Sequence, residues 1–590
     1  MSQTPDKGAY PSRGMRNGEI AEAFEELASL YELDGAVVYR VVAYRNAAKA
    51  IRESGTSVAE MARQGRAAEL PGVGRTIAEK IDALLEDGSI PSADKLKARI
   101  PPGLVAVTRV PGLGPKRAKL LNEHLGIASL DDLRAAAEAG RLTDAPGFGP
   151  KAQEKVVAAL AAGADGRPKV RLLLSKALAV GDELVASLRD HPAALRVELA
   201  GSARRRVDAV KDLDIVAATS NPEALVEHFC SLQAVDLVHS SGTAGAKVLT
   251  HSGLPVDLRI VPEQVFGNLL QHFTGSGKHN EALRTAAVKR GLHVSEYGIA
   301  DDEGGDLLAC ATEEEVYERL GMSWIPPELR ENRGELTAAR EGRLPQLIEL
   351  DDICGDLHMH TTLSDGHASI EEMVTTARER GYDYVAITEH SATHGFGNDV
   401  QADALLRQAE HIAALEIDGI EVLAGTESNI LPDGSLDYAD DVLERLDWVI
   451  ASLHTSFRLS EKKQTERMVA AMHHPLVDAI GHPTGRLIER REAYALDLDR
   501  VIAAAVETGT FLEINANPNR RDLNEVYARA AAEAGVTLVI DSDAHWPRTL
   551  VNMRYGIATA RRAWLTKDAV ANTRPWAEVN RLRKRGQPTP

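Results

Sequence analysis

The chain has 590 residues, 44% of them hydrophobic, and a formal net charge of −19. That length predicts three or four domains with sizeable cores; no run of about 18 apolar residues occurs, and the polar start MSQTPDKGAYPSRG lacks a leader's apolar stretch, so neither a membrane span nor a signal peptide is expected. The acidic balance speaks against a general nucleic-acid binder, but it is uneven: residues 1–165 hold 22 basic and 22 acidic residues, and the rest hold 46 against 65.

Residues 17–62 read as two or three helices, with apolar positions three and four apart in EIAEAFEELASLYEL. Three copies of P-G-x-G feeding a helix follow, LPGVGRTIAEKI from residue 70, VPGLGPKRAKLL from 110 and APGFGPKAQEKV from 145. A Gly-x-Gly turn before a helix presents free backbone N–H groups to a phosphate. One copy is explained by a turn alone. Three, each with Lys or Arg just beyond the second glycine, read as helix-hairpin-helix units that grip a DNA backbone without reading sequence. Gly72, Gly74, Gly112 and Gly114 are the expected DNA-binding glycines.

Residues 166–325 read as α/β. In GSARRRVDAVKDLDIV, Asp212 and Asp214 head an apolar run, and side chains at i and i+2 share one strand face. Two carboxylates on one face repel each other unless cations bind. Mg²⁺ is commonly held by one or two carboxylates plus substrate phosphates. Gly201 and Ser202 offer an amide and a hydroxyl to a phosphate, and Arg204 and Arg205 offer charge. Asp257, in the later run LPVDLRIV, completes a three-carboxylate set suited to two-metal phosphoryl transfer. Residues 326–350 are charged and flanked by prolines and read as a linker.

Residues 351–590 alternate short apolar runs with helical patterns, and polar residues end the runs, as on the active face of a barrel. Of 19 histidines, 11 lie after residue 350. His358, His360, Asp365, His390, Glu427, His454, His482, Asp543 and His545 are candidate ligands. Nine exceed one tetrahedral shell, so two or three ions are expected, and imidazole with carboxylate suits Mn, Zn or Fe. Arg486, after GHPTG, is a candidate clamp for a substrate phosphate. Cys230, Cys310 and Cys354 are far apart and predict a reducing compartment without disulfides.

These motifs together resemble the bacterial and archaeal family X DNA polymerases with a C-terminal PHP (polymerase and histidinol phosphatase) domain. The resemblance implies a multidomain fold: α-helical helix-hairpin-helix domains, an α/β nucleotidyltransferase palm and thumb, and a distorted (β/α)7 PHP barrel. It implies a lyase-like domain at 1–90, fingers at 91–165, palm at 166–262, thumb at 263–325, the linker, and the PHP domain at 351–590. Asp212, Asp214 and Asp257 would be catalytic and would bind Mg²⁺ or Mn²⁺. Gly201, Ser202, Arg205, His272, Phe273, Gly275 and Asn280 would bind the incoming nucleotide, and Arg284 the DNA. Lys80 matches the family's 5′-deoxyribose-phosphate lyase nucleophile, with basic Arg75 and Arg40 nearby in the pattern. His272 stands where the family has tyrosine before Phe273, so relaxed sugar discrimination is expected; Glu389 stands where an aspartate precedes the histidine at 390. The implied function is filling of short gaps in base excision repair, with a PHP centre that hydrolyses DNA phosphoesters as 3′–5′ exonuclease, 3′-phosphatase or AP endonuclease. Gapped or nicked DNA, dNTPs and DNA repair proteins are the expected partners of a monomer in the cytoplasm, at the nucleoid. The competing readings are a phosphoesterase with a silent palm and a protein that chiefly bridges DNA ends.

Overall fold

A computed structural model describes residues 15–161, 171–302, 307–395 and 398–586. The described chain divides into two compact units. The first holds residues up to 172, 179–197 and 211–261; the second holds 173–178, 198–210 and 262 onward. The fingers–palm boundary expected at 165 lies outside the described residues. Among the described residues no helix is long and apolar enough to cross a membrane.

The first unit begins with helices packed on a core that includes Ile20, Phe24, Leu27, Ile51, Ile81, Leu104, Leu121 and Leu133. The three P-G-x-G copies share one geometry. Gly72, Gly112 and Gly147 have φ of 79°, 89° and 77°, the left-handed region that a Cβ disfavours. Gly74 and Gly114 cap the helices Arg75–Asp87 and Pro115–Leu125, and the third copy leads into Pro150–Ala161.

A five-stranded sheet follows, in the order Ala194–Leu199, Leu213–Thr219, Pro255–Val261, Gly245–Thr250, Val235–Gly242. Leu213–Thr219 and Pro255–Val261 run parallel; the last three strands form an antiparallel meander. Leu213, Ile215, Val256 and Leu258 are buried while Asp214 and Asp257 alternate with them, the period-two pattern of a sheet with one open face.

In the second unit the helices Phe266–Thr274 and Gly277–Val288 precede the hairpin Leu292–Ser295/Gly298–Asp301. The stretch 326–350 is not the solvated linker its composition suggests. It forms the helices Pro327–Leu329 and Glu335–Arg340, and Leu329, Leu336, Ala339 and Leu347 join a core with Leu283, Ile299 and Tyr317. Its charges are absorbed by pairing: Arg330 is fully buried and donates to Glu313 and to the Ile325 carbonyl.

The seven strands of the barrel pair in parallel and in chain order: Gly355–Met359, Tyr384–His390, Glu421–Asn429, Trp448–Ser452, Ala479–Ile480, Phe511–Asn515 and Leu538–Asp541. A bridge between Met359 and Ala544, and a bond from the Leu357 N–H to Asp541 at 2.8 Å, draw the first and last strands together. Near-continuous apolar runs suit strands covered on both faces. Alternation sorts each run into two cores. Val385, Ile387, Val449 and Leu512 pack in the larger core with the surrounding helices. Leu357, Tyr384, Ala386, Leu423, Trp448, Ile450, Phe511 and Val539 pack together in the other.

Candidate active sites

The row that starts with Tyr384 and Ala386 in the second core ends, two and four residues on, at Thr388 and His390. The row of Leu423 reaches Glu427, and that of Trp448 and Ile450 reaches Ser452 and His454. The period of two thus carries a ligand from each of these strands to the C-terminal end, where barrel active sites lie. A register irregularity between Asp356 and Met359 adjusts the first strand, which supplies His358.

The ligands converge. Glu427 Oε1 lies 2.7 Å from His482 Nε2 and 3.2 Å from His454 Nε2; its Oε2 lies 2.8 Å from His390 Nδ1 and 3.4 Å from His358 Nε2. Asp543 Oδ1 lies 3.3 Å from His360 Nε2, and Asp365 Oδ1 lies 3.4 Å from His390 and 3.3 Å from His545. All nine residues expected from the sequence meet in one cluster, seven of them buried and Asp365 and His545 part-exposed at its edge. Three overlapping groups of it could each hold an ion: His360, Asp365, His390 and His545; His358, His360 and Glu427; His390, Glu427 and His454. His482 and Asp543 have φ of 30° and 52°, strained for side chains other than glycine and typical of a functional site.

The donor set fits metal ions. Both Glu427 oxygens, both His360 ring nitrogens, His358 Nε2 and His482 Nδ1 are buried and make no hydrogen bond among the described residues. Leaving such groups unsatisfied is costly, and cations at those positions would satisfy them together. Burial, then His390 and His545, push His360 down to about 3. At His390 burial works in the same direction, but Glu427 and Asp365 prevail and raise it to about 10.

Two supporting residues escaped the sequence reading. Glu513 Oε1 accepts a bond from His358 Nδ1 at 2.6 Å, which directs Nε2 of that ring into the cluster. His394 stacks on His390 with ring centres 4.7 Å apart. The signal for Glu513 was a lone acid inside the apolar run FLEIN. Glu389 stays out of the cluster. Strand alternation turns it away from His390, and it accepts bonds from Thr361 N–H at 3.2 Å and Gln408 at 2.9 Å, and from the Ser364 hydroxyl.

In the sheet of the first unit Asp214 and Asp257 are direct partners in the parallel register, and exposed Asp212 precedes Asp214 by two. Asp214 and Asp257 share a face, Asp212 lies just before the strand, and the three do not close into a tight cluster like that of the barrel. Asp257 pairs with Lys247 at 3.3 Å and Arg259 at 3.2 Å. Lys80 is half-buried on the helix Arg75–Asp87, whose inner face is Ile77, Ile81 and Leu84.

The arginines after Ser202 are engaged within the second unit. Arg204 pairs with Glu313 at 2.8 Å; Arg205 Nε reaches Glu331 at 3.0 Å and its Nη1 the Thr274 carbonyl at 2.9 Å. Arg205 is the arginine expected on a phosphate; in this structure its guanidinium ties the loop to residues far along the chain. Arg486, expected as a phosphate clamp of the barrel, pairs with Asp208 at 2.8 Å. Asn280 likewise serves the protein: its amide donates to the carbonyls of His272 at 2.7 Å and Gly275 at 3.2 Å. A Cβ at Gly275 would come within 2.3 Å of Asn280 Oδ1 and 2.8 Å of His279 Cδ2, so any other residue there would displace these side chains. The His272 and Phe273 rings lie 5.7 Å apart, both half-buried, and Arg284 is exposed on the next helix.

Comparison with known proteins agrees with this arrangement. Family models match as a helix-hairpin-helix domain at 15–90, a SAM-like helix-hairpin-helix tandem at 105–162, a DNA polymerase beta thumb at 269–331 and a PHP domain at 356–517. The DNA polymerase/3′-5′ exonuclease PolX of Bacillus subtilis (strain 168) is 38% identical over 575 residues, 97% of this chain and 100% of that protein. The chain belongs to the PolX family. Its PHP half also matches a probable phosphatase of Thermoanaerobacter sp. (strain X514), 33% identical over 232 residues, 37% of this chain and 89% of that protein. A probable phosphatase of Acetivibrio thermocellus is 32% identical over 208 residues, 32% of this chain and 78% of its own. The expected fold holds: the helix-hairpin-helix, thumb and PHP parts that place this chain among PolX proteins follow one another in that order.

Proposed function

We propose that this PolX protein extends a DNA primer from dNTPs with the carboxylates Asp212, Asp214 and Asp257 and hydrolyses 3′ phosphoesters of DNA at the barrel cluster. The observation that carries the reading is the coexistence in one chain of Asp214 in register with Asp257 and of the nine-residue cluster around Glu427. In extension, the primer 3′-oxygen attacks the α-phosphorus of a dNTP and pyrophosphate leaves. Asp212 and Asp214 would hold two ions, Mg²⁺ or Mn²⁺, and Asp257 would hold one of them beside the 3′-hydroxyl. Bound ions supply charge neutralisation at the attacking and leaving oxygens. Lys247, more than half exposed, pairs only weakly with Asp257 in water and gives way to a divalent cation. Ser202 would donate to the departing phosphates. Phe273, with His272, would face the sugar, and Arg284 the DNA strand.

In hydrolysis, two or three Mn²⁺, Zn²⁺ or Fe²⁺ ions would occupy the barrel cluster, where such ions lower the pKa of a bound water. Glu513 fixes the His358 ring for that set. The three Gly-x-Gly turns would hold backbone phosphates of a gapped duplex, the first taking a 5′-phosphate, with Lys80 as the lyase nucleophile. Gap filling followed by cleaning of 3′ ends suits base excision repair. Extension across a one-nucleotide gap, measured beside hydrolysis of a 3′-labelled single strand, tests the reading. Both activities are expected; hydrolysis without extension would favour a silent palm.

A further inference from the structure

The loop that follows Gly201 and Ser202 is held in an unusual way. Arg206 has φ of 60°, a left-handed conformation that a side chain disfavours. The carbonyls on either side of that strain are both tied down. Arg562 donates to the Arg205 carbonyl at 2.8 Å, and Arg521 donates to the Arg206 carbonyl at 2.9 Å. Two residues on, Asp208 sits between two guanidinium groups, 2.8 Å from Arg486 and 3.1 Å from Arg521. Arg486 in turn donates to the Arg521 carbonyl. Arg562 also pairs with Glu331, the partner of Arg205.

The three arginines that hold this loop belong to the PHP half. Arg521 is 1% exposed, and burial pushes its guanidinium down to about 10 against the pull of Asp208. A buried guanidinium that loses its carboxylate is left uncompensated, so Asp208 is held strongly. Arg486 stands four residues after the ligand His482, and Arg521 follows Arg520, whose Nε is 3.7 Å from the ligand Asp543. The hydrogen bonds of Arg486, Arg521 and Arg562 go to Asp208, to backbone carbonyls, to Thr559 and to glutamates, and among the described residues none goes to the metal-ligand cluster.

We infer that the PHP half is the seat of the nucleotide-phosphate loop: Arg486, Arg521 and Arg562, through Asp208 and the carbonyls of Arg205 and Arg206, position Ser202 for the triphosphate of an incoming dNTP. This rests on the proposed polymerase role of Ser202 and adds positioning residues for it, which lie outside the nucleotidyltransferase part altogether. Rigidly supported groups bind and orient a substrate better than mobile ones, and small misplacements are costly.

The test is single-nucleotide gap filling by the full-length protein, with KM for dNTP and kcat measured separately for wild type, Ser202→Ala, Asp208→Ala and the double variant. Asp208→Ala is expected to raise KM for dNTP by roughly tenfold or more with a smaller change in kcat, and to leave 3′ hydrolysis unchanged. Because both residues act through one turn, the double variant is expected to be little worse than either single one. Asp208→Asn, which keeps an acceptor and the side-chain volume, is expected to fall between wild type and Asp208→Ala, and it serves as the reporter if the alanine variant fails to fold. A raised KM in Ser202→Ala with an unchanged KM in Asp208→Ala and Asp208→Asn would overturn the inference and leave the polymerase reading standing. An unchanged KM in Ser202→Ala would overturn the reading of the loop and the inference with it. Equal losses of extension and hydrolysis in Asp208→Asn would assign Asp208 to general packing and overturn the inference as well.

Discussion

Glu427 is fully buried, and both its oxygens lie against imidazole nitrogens without a hydrogen bond. Replacing it, or His358 or Asp543, by alanine is expected to remove bound transition metal and to cut hydrolysis by about a hundredfold or more, while extension persists. Elemental analysis of the purified variants beside both assays checks this. His272 carries a different expectation. Its carbonyl is held by Asn280 at 2.7 Å, so any part the backbone plays in rejecting a ribose 2′-hydroxyl is unaffected by the side chain. Only the side chain's share is open to substitution, and His272→Tyr is expected to sharpen dNTP-over-rNTP discrimination by about 1–2 kcal/mol, roughly ten- to thirtyfold in kcat/KM. Glu313 gives a pH test. Burial tends to raise its pKa, but Arg330 and Arg204 prevail and bring it from 4.5 down to about 2. A depressed folded pKa stabilises above the unfolded value and is lost as pH falls through the folded one. Glu313→Gln is therefore expected to lower stability at pH 7 by about 3 kcal/mol and to flatten its fall between pH 4.5 and about 2 in denaturant titrations. The arginines show where residue-level reading stops. Charges beside a Gly-Ser turn look like phosphate ligands in sequence, and only the fold reveals that Glu313 and Glu331, more than a hundred residues later, absorb them.

The repeated Gly-x-Gly turns were legible as elements because their requirement is local: one glycine must take a positive φ and the next must start a helix. The same two glycines separate folding from binding. A Cβ at Gly74 or Gly114 would meet nothing within 4 Å among the described residues, so what it would disturb is a molecule outside. Aspartate caps a helix N-terminus well, yet it repels a phosphate. Gly74→Asp and Gly114→Asp are expected to keep the thermal midpoint of wild type and to weaken binding to gapped DNA by about tenfold; Gly72→Asp, which must adopt φ near 79°, is expected to lower the midpoint instead. Calorimetry and fluorescence anisotropy on a 5′-phosphorylated gap distinguish the two classes. The barrel strands were legible for a related reason, since each apolar run ended in a polar residue. Glu513 was not, because an acid inside an apolar strand declares a partner without saying which, and His358 lies 155 residues away. The stretch 326–350 misled because its composition is that of a linker, while Arg330 and Glu335 are buried by pairing, with Glu313 and with His279.

At the scale of the molecule, a net charge of −19 coexists with an N-terminal part of zero net charge, which suits the proposed contact with DNA through backbone amides and a few basic side chains. The central claim is that one chain holds two chemically independent phosphoryl sites, the carboxylates of Asp212, Asp214 and Asp257 in one unit and the imidazole–carboxylate cluster in the other. The most direct measurement takes one preparation of Asp212→Ala/Asp214→Ala and follows both reactions, extension across a one-nucleotide gap and hydrolysis of a 3′-labelled single strand. Extension is expected to fall by about a thousandfold or more while hydrolysis stays within about twofold of wild type. A folded double variant that loses both activities together, or keeps both, would contradict the account.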